Sequence, residues 1–161
     1  MTPRRLDVIG TVARLGLAAV FLISGYIKAS DLDQTYVAVK AYQVLPKPAV
    51  EFVAAVLPWF ELALGLLVLL GVGTRIVAVI SALLLLTFMA GVTQAWVRGL
   101  SIDCGCFGGG GDVAADKTSY GLELLRDTGF MILAVWLIVR PKTLLSLDGW
   151  LTRDGDGAGA S

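Results

Sequence analysis

Two cysteines separated by one glycine are the residues of this chain best suited to chemistry. Cys104 and Cys106 belong to the run Asp-Cys-Gly-Cys-Phe that starts at Asp103, and four consecutive glycines follow from Gly108. The 161-residue chain contains no other cysteine and no histidine. Paired thiols beside a glycine-rich stretch indicate a redox pair, in which one sulfur forms a mixed disulfide and the other resolves it.

A structural disulfide between Cys104 and Cys106 is one alternative, and use as metal ligands is another. A bridge that closes three residues stabilises a fold by only about 1.6 kcal/mol, against roughly 3 kcal/mol for a 15-residue loop. Its geometry is tight, so the bond is easily reduced. Two thiols without histidine cannot complete a tetrahedral zinc site or hold an iron–sulfur cluster. We therefore predict exchange chemistry and no metal, and the sequence leaves open which cysteine reacts first.

The composition of the chain places this pair on a membrane. Hydrophobic residues make up 57% of the chain and charged residues 16%, and the net charge is zero, which does not suggest a nucleic-acid partner. Four apolar segments have the length of about 20 residues that a helix needs to cross a lipid bilayer. The chain length suits a single domain. The sequence predicts an all-α, integral membrane four-helix bundle over residues 1–150, with spans at about 8–27, 49–70, 76–96 and 122–139 and a disordered tail at 151–161.

The connections between the spans carry their own patterns. The short turn Gly71–Arg75 makes the second and third spans antiparallel neighbours. The first connection shows helical spacing of apolar residues, which predicts a short interfacial helix. A capping box at Ser30 and Asp33 is expected to start this helix, and Pro46 and Pro48 are expected to end it. The connection after the third span carries the cysteines in a glycine-rich loop.

The first span could instead be a signal peptide. Its length, Arg14 within it and the lack of a small-x-small cleavage site after it favour a retained helix. Four spans place both termini on one side, and the distribution of Lys and Arg slightly favours the cytoplasm for that side. A thiol pair that cycles through a disulfide belongs on the oxidising face. We expect a multi-pass protein of the cell membrane with its cysteine loop outside the cytoplasm.

Two charged residues lie deep within the predicted spans, where an unpaired charge costs several kcal/mol. Counted from the cysteine side, Arg14 lies 13 residues below Ile27 and Glu61 lies 12 residues below Ala49. At 1.5 Å per residue both are roughly 18–20 Å deep. Equal depth on antiparallel neighbours predicts an Arg14–Glu61 ion pair. That pair could only fix the register of the helices, or it could serve protons or a ligand headgroup below a cavity.

Further charged residues gather near the cysteine side of the predicted spans. Lys28 and Asp127 are interpreted as ordinary interfacial anchors. Arg126 lies a turn inside the fourth span, close enough to face the thiols, where a cation favours the reactive thiolate. Asp103 directly precedes the pair. With Arg14 and Glu61, these four residues form the predicted supporting set around the catalytic Cys104 and Cys106.

The chain resembles the MauE-type branch of the DoxX-like membrane proteins. The specific parts of the match are the motif at 103–108 and the Pro-Trp-Phe-Glu segment at 58–61, and only the tail lies outside it. The match also includes Arg14, Lys28 and the Arg126-Asp127 pair. The resemblance implies a four-helix membrane protein linked to disulfide handling of extracytoplasmic proteins. One such case is maturation of the disulfide-rich small subunit of methylamine dehydrogenase.

The leading hypothesis is a membrane thiol–disulfide oxidoreductase. It would pass electrons, in a direction left open, between an extracytoplasmic thioredoxin-like or cysteine-rich client and an acceptor in the bilayer. Quinone is a candidate acceptor by analogy with quinone-linked disulfide oxidases and vitamin K epoxide reductase. Those enzymes use a C-x-x-C pair and usually a second pair, whereas one C-x-C pair serves here. Two alternatives are a non-enzymatic assembly factor that captures a cysteine-bearing client and a small transporter with Arg14 and Glu61 as its polar site.

Overall fold

A computed structural model of the chain describes residues 3–103, 105, 109–112, 118–141, 143, 144 and 146. Cys104, Cys106 and the predicted tail at 151–161 lie outside the described residues. Over the described part the chain is helical, with one two-stranded antiparallel sheet. Its elements are α1 (Pro3–Ser30), α2 (Leu32–Ala41), α3 (Lys47–Leu70), α4 (Thr74–Val97), β1 (Ile102–Asp103), β2 (Gly111–Asp112) and α5 (Tyr120–Val139).

Three of the helices, α1, α3 and α4, are long and apolar enough to cross a membrane. On α3 the buried side chains recur every three or four residues, as at Ala54, Pro58 and Leu64. The other side of the same helix exposes Phe52 by 67% and Trp59 by 59%. Exposed aromatic surface of this extent is suited to lipid and not to water. This outer surface is that of a multi-pass membrane protein.

The fourth predicted span lies within α5. This helix carries Glu123, Arg126 and Asp127 in its first half, which sets it apart from α1, α3 and α4. Its second half is apolar, and Ala134 and Leu137 join a core cluster that also contains side chains of α1, α3 and α4. The four helices therefore share one core, while a fourth membrane crossing stays a prediction.

The closest packing joins α1 to α3. A Cβ atom on Gly25 would lie 2.9 Å from the backbone nitrogen of Leu62 and from the backbone oxygen of Pro58. A Cβ on Gly65 would lie 3.0 Å from the backbone nitrogen of Leu22. Small residues allow membrane helices to approach this closely. These two contacts set the register, in which α1 and α3 run antiparallel with Gly25 beside Pro58 and Leu62.

The predicted turn between the second and third spans is confirmed. Gly71 and Gly73 adopt left-handed backbone angles, with φ of 66° and 54°, which glycine adopts at little cost. The amide of Gly71 donates to the carbonyls of Leu67 and Val68 and so caps α3. Beyond this turn α3 and α4 contact each other sparsely, since α3 packs mainly on α1 and α4 mainly on α5. The two consecutive spans therefore leave a space between them.

The predicted short helix exists as α2, but the prediction of its first residues is wrong. Asp31 is the N-cap, and its Oδ1 accepts a hydrogen bond from the amide of Gln34 at 2.9 Å. Ser30 is instead the last residue of α1, where its hydroxyl donates to the carbonyl of Tyr26 at 2.7 Å. An aspartate can cap a helix as well as a serine, and the longer α1 leaves the cap position to Asp31.

The expectation that Pro46 and Pro48 end α2 is wrong. These prolines begin the next helix, α3. The helix α2 stops at Ala41, and Gln43 has a left-handed φ of 51°. Pro46 is the N-cap of α3, and Pro48 occupies its first turn. Proline suits this place because its missing N–H would have no partner within the helix there.

Candidate functional site

A cavity of about 650 Å³ lies between α2, α3 and α4, in the space that α3 and α4 leave open. Its walls include Ala38 of α2, Leu57 of α3 and Phe88 of α4. Gly105 and Gly109, which belong to the cysteine loop between β1 and β2 (residues 104–110), complete the lining. Its volume is within the range of about 300–1,000 Å³ typical of small-molecule sites.

One side of the cavity opens in the membrane-spanning part of α4. Thr87 and Ala90 line the cavity and are both exposed. Thr87 lies ten residues before the end of α4 at Val97, which is about 15 Å along the helix. The exposed part of the lining on α4 therefore lies within a candidate membrane span.

A buried ion pair closes the inner end of the cavity. The Nζ atom of Lys28 lies 2.8 Å and 2.9 Å from the two carboxylate oxygens of Glu61 and 2.6 Å from the Oγ of Ser24. The same Nζ is 5.3 Å from the centre of the Phe88 ring. Lys28 is 8% exposed and Glu61 is fully buried. The prediction of Lys28 as an interfacial anchor is therefore wrong, since its ammonium group is held inside the protein.

The predicted Arg14–Glu61 ion pair is also wrong. Arg14 is buried near the middle of α1, 14 residues before Lys28, and its Nη2 donates to the carbonyl of Leu144 at 3.1 Å. Its Nη1 also lies against Gly71, ten residues or about 15 Å along α3 from Glu61. The prediction assumed that Ile27, the predicted end of the first span, and Ala49, the predicted start of the second, lie at the same depth. The close contact of α1 with α3 instead offsets them by about three turns and brings Lys28 to Glu61.

Arg126 and Asp127 form a second charged pair on α5. The Nε and Nη2 of Arg126 each lie 3.2 Å from Oδ1 of Asp127. Asp127 is 3% exposed, so it does not act as the interfacial anchor that was predicted. The expected approach of Arg126 to the thiols concerns atoms outside the described residues. Within the described part of the chain, no three acidic, cysteine or histidine side chains gather as a metal site.

The base of the cysteine loop is fixed by a small core on the same side of the protein. Ile102 and Tyr120 are buried there with Val92 and Ala95 of α4. The hydroxyl of Tyr120 accepts a hydrogen bond from the amide of Ile102 at 3.1 Å and donates to the carbonyl of Leu100. This core joins both ends of the loop region to α4 and α5.

Helix α2 holds the outer part of the loop. The side-chain amide of Gln34 donates to the carbonyl oxygens of Gly109 at 3.0 Å and Gly110 at 2.7 Å. Gly105 and Gly110 both lie against Ala38, where added Cβ atoms would come within 2.8 Å and 2.5 Å of its Cβ. The glycines therefore let the loop approach α2 more closely than other residues could.

Asp103, one of the predicted supporting residues, contacts two glycines of the cysteine loop, Gly105 and Gly109. Its Oδ1 accepts from the amide of Gly105 at 3.4 Å. Its Oδ2 lies against Gly109, where an added Cβ would be 2.8 Å away. The carboxylate thus spans the inside of the loop that contains the two cysteines.

Three residues of the site were missed in the sequence. Ser24 had a signal, because it lies four residues before Lys28 and so on the same helix face. Gln34 and Tyr120 had none, since their roles depend on contacts with residues distant in sequence. Of the predicted supporting residues, the structure brings Lys28 and Glu61 to the cavity, places Asp103 in the loop, and locates Arg14 elsewhere.

Replacing Gln34 by alanine is expected to loosen the loop. The variant loses two hydrogen bonds to the carbonyls of Gly109 and Gly110, each worth about 0.5–1.5 kcal/mol. Hydrogen exchange of the amides in β1 and β2 is expected to become roughly tenfold faster, while exchange in α3 stays unchanged. Lys40→Ala, at an exposed position of the same helix, is the control. Equal exchange in both variants would contradict the role given to Gln34.

Two comparisons find similar proteins of one kind. A family model described as methylamine utilisation protein MauE matches residues 6–140 of the chain. The methylamine utilization protein MauE of Paracoccus denitrificans is 36% identical over 98 residues, which are 60% of this chain and 53% of that protein. The aligned part therefore spans about half of the relative's length. No solved structure matches the chain significantly.

Proposed function

The chain belongs to the MauE family, and from this premise we propose that it is a membrane thiol–disulfide redox protein. It passes electrons from a thioredoxin-like or cysteine-rich client outside the cytoplasm to an acceptor in the bilayer. The relative from Paracoccus denitrificans is named for methylamine utilization. We therefore include among the candidate clients a disulfide-rich protein of methylamine oxidation.

One observation carries this proposal. Gly105, which stands between Cys104 and Cys106 in the sequence, lines a cavity whose lining includes exposed residues of the candidate membrane span α4. A loop of this kind has one side for a protein client and the other for a molecule dissolved in lipid. Neither a purely structural disulfide nor a surface thiol needs such a cavity beside it.

The chemistry of the proposed exchange uses the two cysteines alone. A client thiolate attacks one sulfur of the disulfide between Cys104 and Cys106, which forms a mixed disulfide and frees the other cysteine as a thiol. The second client thiolate then attacks the client sulfur of the mixed disulfide. The client gains a disulfide and loses two electrons and two protons, and the pair gains them. The reduced pair is reoxidised by the membrane acceptor.

The proposal places the cysteine loop outside the cytoplasm. Disulfides persist in oxidising compartments and are reduced in the cytosol. A membrane-impermeant maleimide added to intact cells is expected to label the reduced cysteines. Labelling only after the membrane is opened would place the loop on the wrong side for this function.

Single-cysteine variants test the proposal. In Cys104→Ser or in Cys106→Ser, the remaining thiol has no resolving partner. Its thiolate attacks the disulfide of an oxidised client and releases one client thiolate, so one of the two variants is expected to accumulate a mixed disulfide with an oxidised thioredoxin-like client. Neither variant is expected to oxidise the client with turnover, and the double variant is expected to trap nothing. Client oxidation by Cys104→Ser at the wild-type rate would end the assignment.

The same experiment separates the alternatives. Mixed disulfides without net oxidation by the wild-type protein would identify an assembly factor that captures its client. The transporter hypothesis rested on Arg14 and Glu61 as one polar site, and the structure separates these residues by the length of several helical turns. The Arg14–Glu61 site on which that hypothesis rested is therefore absent, since Glu61 pairs with Lys28.

A further inference from the structure

We propose that the cavity between α2, α3 and α4 is the binding site of a lipid-soluble quinone, which is the electron acceptor of the cysteine pair. This inference rests on the proposed function and deepens it, since it names the chemical class of the acceptor and the residues around it. The argument has three parts: access from the bilayer, the polarity of the lining, and electron balance.

Access to the cavity from the bilayer is possible through α4. Two exposed lining residues, Thr87 and Ala90, lie within this candidate membrane span, and three others, Asp31, Val44 and Leu45, lie in the segments that connect α1, α2 and α3. Val53 and Leu57 of α3 form the facing wall. A molecule that enters between these two helices must first dissolve in lipid, which excludes nucleotides, sugars and other strongly hydrated compounds.

Most polar side chains of the lining already have hydrogen-bond partners, and the Oδ1 of Asp31 accepts from the amide of Gln34. Lys28 has acceptors in Glu61 and Ser24. The hydroxyl of Thr35 donates to backbone carbonyls, as does that of Thr87, and Gln34 is engaged with the cysteine loop.

A ligand in the cavity would therefore contact a mainly apolar lining. The Lys28–Glu61 pair has no net charge, and the other charged side chain of the lining, Asp31, is exposed at the N-cap of α2. A neutral, mainly apolar molecule is the ligand that such a site accepts.

Electron balance selects among neutral lipids. Oxidation of two thiols to a disulfide releases two electrons and two protons, and a quinone that takes up both becomes a quinol. A hydrocarbon chain or a sterol cannot do this. Gly105 and Gly109 line the cavity, so the loop that carries the thiols borders the place where the ring would bind. The side chains of Leu57 and Phe88 contribute apolar surface for the ring and the first part of its tail.

Photolabelling of the purified wild-type protein in nanodiscs tests the site. An azidoquinone is expected to label peptides of α2, α3 and α4, and decyl-ubiquinone is expected to compete at least tenfold better than decylbenzene, which lacks the quinone oxygens. Equal competition would show a pocket for lipid tails, and labelling outside these helices would show that the quinone binds elsewhere. Either result would overturn the inference.

Two substitutions on α3 provide the matched comparison. Val53→Phe enlarges a side chain that lines the cavity, whereas Val56→Phe makes the same change at a position that is 43% exposed. Labelling is expected to fall at least tenfold in the first variant and to stay unchanged in the second. Ala90→Phe, at the exposed mouth, tests the same point without a buried substitution. Unchanged labelling in both Val53→Phe and Ala90→Phe would contradict the proposed site.

Failure of this inference can be told apart from failure of the proposed function. Exchange of the wild-type cysteines with a soluble dithiol client is measured in parallel with labelling. Exchange without specific labelling would remove the quinone site and leave the redox function. Labelling without exchange would leave a quinone site and remove the redox function.

Discussion

Replacing Lys28 by methionine is expected to reduce the folded fraction of the protein more than any other single change to its charged residues. The variant leaves the carboxylate of Glu61, which is fully buried, with a hydrogen bond from the hydroxyl of Ser24 but without its cation. Removing one partner of a buried ion pair costs about 3–5 kcal/mol, because the other charge stays without compensation. The folding equilibrium is expected to fall by a factor of roughly 150 to 5,000.

The control for this prediction is the same substitution in an exposed ion pair. Lys47 lies 3.9 Å from Glu51, with side chains that are 78% and 57% exposed, and exposed pairs contribute little. Unfolding by detergent titration is therefore expected to leave Lys47→Met close to the wild type. The double variant Lys28→Met with Glu61→Gln removes both charges and is expected to regain most of the lost stability. Equal stability of Lys28→Met and Lys47→Met would contradict the buried pair.

The sequence predicted the helices well because their signal is local. Each long apolar segment lies within an observed helix, and the glycine pair at 71 and 73 marked the turn between α3 and α4. Length and hydropathy of one segment decide whether it forms a helix that suits a membrane. No knowledge of a neighbouring helix is needed for that decision.

The partners of the buried charges could not be predicted in the same way. They depend on how far α1 is displaced along α3, and this displacement is set by the contacts at Gly25 and Gly65. Counting residues from predicted span ends carries an error of several residues at each end, and one helical turn is 3.6 residues. The count therefore paired Glu61 with Arg14, while the register pairs it with Lys28.

No local pattern in the sequence predicts the cavity. It exists because α3 and α4 separate after their turn, and because α2 and the cysteine loop cover part of the space between them. The cysteine motif and the hydrophobic spans can each be read from the sequence, but only separately. Their relation to each other, with Gly105 on the wall of a cavity beside the candidate span α4, follows from packing between distant segments.

Replacing Gly110 by alanine is expected to detach the cysteine loop from α2. The φ of Gly110 is 98°, and an added Cβ would lie 2.5 Å from the Cβ and 3.2 Å from the Cα of Ala38. The backbone strain costs about 1–2 kcal/mol, and the overlap costs about 1–3 kcal/mol more. Hydrogen exchange of the Ile102 amide is expected to become at least about 30-fold faster, and quinone photolabelling is expected to decrease with it.

Two further variants separate overlap from backbone strain. Gly99→Ala introduces alanine at a φ of 67° with no atom within 4 Å of the new Cβ, so it carries the strain without the overlap and is expected to leave Ile102 protected. Ala38→Gly removes the Cβ that the new methyl group would meet, and in combination with Gly110→Ala it is expected to restore part of the protection. Protection that is lost equally with and without Ala38→Gly would show that the contact with α2 does not hold the loop. In that case the loop would be positioned by Asp103 and the Tyr120 core alone, and α2 would only cover the cavity.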